Sequence, residues 1–120
     1  MRNQQSHYKI IEQLFSMGVK EHSKYSIGEI LNRQDPNESS ANYLLAFHKG
    51  LTELLDQKGL PWSCRTDDRG LTHFCENKAF IMLSINKGFI SILFFTGDQV
   101  IEGLVKANVL TPYKLDRFIK

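Results

Sequence analysis

Trp62-Ser63-Cys64-Arg65-Thr66-Asp67-Asp68-Arg69-Gly70-Leu71-Thr72-His73-Phe74-Cys75-Glu76, continued by Asn77-Lys78-Ala79-Phe80-Ile81-Met82-Leu83-Ser84-Ile85-Asn86-Lys87-Gly88-Phe89-Ile90-Ser91-Ile92-Leu93-Phe94-Phe95, is the stretch that decides the fold. Trp62, Cys64 and Thr66 alternate with Ser63 and Arg65, the period of a strand with two unlike faces. Asp67-Asp68-Arg69-Gly70 is a turn sequence with a glycine where a positive backbone angle is cheap, so a strand over 61–66 folds back as a strand over 71–76. Asn77-Lys78 turns the chain again, and strands over 79–85 and 89–95 follow, joined by Asn86-Lys87-Gly88. Consecutive strands on short turns predict an antiparallel meander. Its last two strands are the most apolar and are expected centrally or against helices.

Upstream of Pro61 the period changes to that of a helix. Tyr8, Ile11, Leu14 and Phe15 fall at three- and four-residue spacing, which predicts a helix over 4–17 ended by Gly18. Ser26 with Glu29 three residues on forms a capping box before a helix over 27–33. Asp35 and Pro36 are placed to open a third helix over 36–58, with Ala41, Leu44, Leu45, His48, Leu51 and Leu55 down one stripe and Gly59 after it. Downstream, residues 98–110 fit either a helix or a broken edge strand, because Gly103 lies among β-branched residues; Thr111-Pro112 can cap a last helix over 112–119. The expected architecture is a single α+β domain over 1–120, with a four- to five-stranded antiparallel sheet packed against the N-terminal helices.

Composition removes several classes. With 120 residues, two independently folded units are not expected. Apolar residues are 42% and charged residues 23%, the balance of a globular chain and not of a disordered one. Fifteen Lys and Arg against thirteen Asp and Glu leave a net charge of +2, weak for a protein that must neutralise a run of phosphates. No apolar run approaches the ~18 residues needed to cross a bilayer, and the N-terminus lacks the features of a secretory signal, so a cytoplasmic location is expected. Cys64 and Cys75, without framework spacing, agree with a reducing compartment.

Cys64, His73 and Cys75 are the most suggestive residues. The predicted hairpin sets Thr66 opposite Leu71 and Cys64 opposite His73, with Cys75 two residues along on the same face. Two thiols and an imidazole converging there could hold iron or zinc, although zinc asks for a fourth ligand and the paired two-residue cysteine spacing is missing. The plainer alternative is a sheet face lined by two thiols, a histidine and Trp62. A disulfide is disfavoured because diagonal hairpin neighbours sit about 7–8 Å apart. His48 lies in the apolar stripe of the third helix, where a packed histidine with one hydrogen-bond partner is the usual reading and a ligand or switch the sharper one. Neither a phosphate-binding glycine motif nor a nucleophile signature occurs. Three helices before a hairpin is also the element order of a winged-helix DNA binder, but Glu38, Glu53 and Asp56 against Lys49 and Lys58 on the third helix would repel phosphate as readily as attract it.

Asn86-Lys87-Gly88-Phe89-Ile90-Ser91-Ile92-Leu93-Phe94-Phe95-Thr96-Gly97, followed by Ile101-Glu102-Gly103-Leu104, resembles the YdhG-like superfamily of small bacterial domains over residues 44–120. The resemblance implies an α+β fold with a frataxin-like antiparallel sheet on helices, in a family mostly without assigned activity and with some members described as iron chaperones. Glu12 is the only acid of the first helix, and the first 40 or so residues lie outside the resemblance, so it carries the fold and not iron delivery.

The function expected from the sequence is non-catalytic binding, with Trp62, Cys64, His73 and Cys75 as the ligand or partner surface on an uncovered sheet face or near its edge. The partner is a protein or small molecule, not nucleic acid or membrane, and the chain a monomer or homodimer. No catalytic residue, cofactor or resident metal is assigned. The alternatives are the metal protein built on Cys64, His73 and Cys75 and the winged-helix binder.

Overall fold

The computed structural model describes residues 2–95 and Lys106, with side chains from His7 onward. Helix α1 (Arg2–Ser16) is followed by a short strand β1 (Val19–Lys20), helices α2 (Ile27–Gln34) and α3 (Glu38–Gln57), and strands β2 (Trp62–Asp67), β3 (Gly70–Cys75), β4 (Lys78–Ile85) and β5 (Ile90–Phe94). The strands form one sheet in the order β1-β2-β3-β4-β5. The expected α+β class holds, and the predicted helices and meander strands lie within a few residues of their expected ranges. The expectations for 98–110 and 112–119 fall, Lys106 apart, outside the described residues.

The sheet differs from expectation by being mixed. Val19 pairs with Cys64 and Lys20 with Arg65 in parallel, while every later pairing is antiparallel. Two residues carry no readable period, so β1 leaves no trace in the pattern. Its position follows from Gly18, whose φ of +88° lets the chain leave α1 sharply and run beside β2. Among the described residues β3 is central and β5 lies at an edge, so of the two apolar strands only β4 is interior.

Local chemistry sets the element ends. Ser26 accepts from Glu29 N and starts α2, which is one half of the expected capping box; no return bond from the Glu29 side chain to Ser26 N is formed among the described residues. Asp35 does not open α3: its backbone N–H bonds Leu31 O at the end of α2, with φ of 45°, so the residue is committed to the helix before it. Asn37, one residue past Pro36, is the cap instead and accepts from Ser40 N at 2.8 Å.

The turns also move. Gly70 has no positive φ; it lies in β3 opposite Asp67, where any Cβ would run into the Leu83 carbonyl of β4. Glycine is there for close approach of two strands, not for the turn itself. The second turn is Glu76-Asn77, both at positive φ (52° and 69°) between the paired Cys75 and Lys78, the signature of a type I′ hairpin.

The core lies between the helices and one sheet face. Leu44, Phe47, Leu51 and Leu55 of α3 are buried, as are Leu71, Ile81, Leu83 and Ile85 of the sheet. Each such side chain contributes about 1.5–3 kcal/mol by leaving water. On the opposite face the Arg65 guanidinium stands 4.7 Å from the Phe74 ring centroid. Leu93, Phe89 and Phe95 are exposed.

Candidate functional site

The third helix carries one polar residue into its apolar stripe. His48 sits four residues after Leu44 and three before Leu51, which points it at the sheet, and it is fully buried. Beneath it lies His73 on the central strand β3, paired across the hairpin with Cys64 of β2. That pairing is the one the sequence predicts. Relative exposures of 0% for both histidines and 1% for Cys64 place all of them inside the core.

The site is therefore not on an uncovered face. Cys64 and His73, expected on a surface, point beneath the helices, because His48 supplies the polar partner that makes a buried imidazole tolerable there. Trp62 is partly buried beside them and meets His48 edge-on, with centroids 5.9 Å apart at 83°. Its indole N–H donates to Asp56 at 2.8 Å, and its ring packs on Gly18, where a Cβ would stand 2.8 Å from the indole. Cys75 is partly buried, opposite Trp62 at the far end of the hairpin. Two residues along a strand is about 6.6 Å, which separates Cys75 from the cluster. One donor atom each from His48, Cys64 and His73 lie within 4.8 Å of one another. The third member is thus His48 in place of Cys75.

A directed chain of hydrogen bonds organises the cluster. His48 Nε2 lies 2.9 Å from the Met17 carbonyl, and His48 Nδ1 lies 2.8 Å from His73 Nε2. A carbonyl only accepts, so His48 carries its hydrogen on Nε2 and donates to Met17. Burial lowers the His48 pKa, opposed in part by that bond to Met17. Burial, and then the proximity of His48, push His73 down to about 3. Both rings are therefore neutral at pH 7, His48 Nδ1 is an acceptor, and His73 Nε2 donates to it. His73 Nδ1 is left as a bare lone pair, buried and without a hydrogen-bond partner among the described residues.

The thiols are not activated. Burial raises the Cys64 pKa well above the usual thiol range, and burial followed by the Glu76 charge raises that of Cys75. A thiol that stays protonated is a poor nucleophile. What this arrangement offers is lone pairs: two imidazoles and a sulfur in one dry cluster, with an N–H to carbonyl bond behind one ring of the kind that orients metal-bound histidines.

His48 is the residue that sequence reasoning left out of the constellation. Its signal was present, since a histidine in an otherwise apolar stripe must find a polar partner across the packing interface. Comparison with known family models, curated proteins and solved structures finds no match to this chain. Among the described residues no helix is long and apolar enough to cross a membrane.

Proposed function

We propose that this chain is a small non-catalytic binding domain whose ligand is a transition-metal ion held by His48, Cys64 and His73. The observation that carries the reading is the convergence of three donor atoms within 4.8 Å in the core. One of these residues, His73, keeps an imidazole lone pair that no group among the described residues satisfies. A buried polar atom without a partner costs about 1–3 kcal/mol, so the groups described around the His73 ring do not satisfy it fully. The spacing suits coordination: with the His73 hydrogen shifted from Nε2 to Nδ1, His48 Nδ1 and His73 Nε2, 2.8 Å apart, need to open by only about 0.5–0.7 Å to bind one ion at about 2.0 Å each. Depressed imidazole pKa values support the reading because both rings are neutral at pH 7, so no imidazolium charge has to be displaced. The raised Cys64 pKa argues against covalent catalysis and is no obstacle to an ion, which deprotonates a coordinating thiol outright.

Equilibrium dialysis of the reduced chain against zinc, cobalt, nickel and cuprous ions, followed by elemental analysis, tests this. One equivalent per chain is expected for at least one ion, falling to background in the folded His73→Gln and Cys64→Ser variants. Stoichiometry far below one for every ion overturns the proposal.

A further inference from the structure

Resting on the metal reading above, we infer that the ion this cluster selects is monovalent copper. The donor set is soft and borderline, one sulfur and two imidazoles, and thiolate ligands favour cuprous ion while excluding calcium and magnesium, which require oxygen. Coordination number then separates copper from zinc. Among the described residues the group contains three donors, and no carboxylate or second thiol joins it. Structural zinc is held by four ligands. Cuprous ion, a closed-shell d10 centre without directional preference, is satisfied by three. With exposures of 0%, 1% and 0%, completing a zinc shell means drawing water into the core beside Leu51 and Leu71.

Charge points the same way. Binding breaks the Cys64 S–H bond, forms a metal–sulfur bond and releases one proton to solvent. The His73 hydrogen moves from Nε2 to the bare Nδ1 so that Nε2 can face the ion, His48 keeps its hydrogen on Nε2 toward Met17, and no electron is transferred because the ion enters in its reduced form. Cu⁺ with one thiolate and two neutral imidazoles sums to zero. Zn²⁺ with the same ligands leaves +1 in a dry core, where an uncompensated charge is costly. Asp56 could not offset it, since that carboxylate accepts from the Trp62 indole at the exposed rim.

The test is a pair of anaerobic competition titrations on the reduced 120-residue chain, one against a chromophoric cuprous chelator and one against a chromophoric zinc chelator. The expected result is one Cu⁺ per chain, bound at least about 10³-fold more tightly than Zn²⁺. Cys64→Ser should weaken Cu⁺ at least about 100-fold and Cys75→Ser less than about threefold. Should Cys64→Ser fail to fold, X-ray absorption of the copper-loaded wild type replaces it, with three ligands including one sulfur expected. Tighter zinc than copper, a four-ligand copper shell, or loss of copper in Cys75→Ser overturns the copper assignment while leaving a metal site in place. Failure of both ions to reach one equivalent overturns the metal reading itself.

Discussion

His48 Nδ1 and His73 Nε2 stand 2.8 Å apart across the boundary between helix α3 and the central strand, so one hydrogen bond joins the two layers of the fold inside its core. Removing one partner strands the other. His48→Ala leaves the His73 N–H unpartnered and opens a cavity, and is expected to cost about 2–4 kcal/mol in denaturant unfolding. The double variant His48→Leu with His73→Leu removes both polar groups and should recover at least half of that loss, measured as a double-mutant cycle. Strict additivity of the two single changes would argue against a coupled pair.

Stability of the metal-free chain should fall on mild acidification. Both imidazoles have native pKa values below their unfolded value near 6.5, His73 at about 3. The unfolded state therefore takes up protons first, and stability is complete above about pH 6.5 and declines progressively as pH drops towards 3. Urea midpoints between pH 7.5 and 4.5 report this, and the His48→Leu with His73→Leu variant should show a flatter profile. An unchanged slope in that variant would assign the loss to other groups.

Thiol labelling should divide the cysteines. Cys75 is partly exposed and Cys64 is buried. A disulfide reagent at pH 8 is expected to modify one thiol in the native state and the second only on unfolding, with the accessible thiol absent in Cys75→Ser. Cuprous ion should leave the first reaction unchanged and slow the second.

Gly18→Ala places a Cβ 2.8 Å from the Trp62 ring and forces alanine to a φ of +88°. A loss of about 1–3 kcal/mol is expected, with a shift in Trp62 emission as the ring is displaced. Gly70→Ala should be harsher, since the obstacle is the Leu83 backbone and not a movable side chain. Little soluble protein is expected from it.

The meander was legible because alternation from Trp62 to Thr66 and the turn after it determine which residues face each other, and Cys64 opposite His73 follows from those two facts alone. The partner on α3 was not. His48 and His73 are 25 residues apart, and nothing in a local period says which helical residue lies over which strand. Gly70 was misread for a related reason: a glycine beside Asp-Asp-Arg looks like part of a turn, while the Leu83 backbone that demands it arrives from the next strand. Asp35 shows the same limit at a helix end, where two capping residues in succession, Asp35 and Asn37, divide the work between the helices on either side.

The Met17 carbonyl is the last acceptor in the hydrogen-bond chain that begins at His73, and it is delivered by the turn leaving α1. A fragment that began at α3 would contain every donor atom of the cluster and still lose the group that holds the His48 ring in its tautomer, together with the strand that flanks Cys64. The opening helix is thus a structural prerequisite for the chemistry of residues far downstream, and a minimal excised version of this domain has to start at or before it.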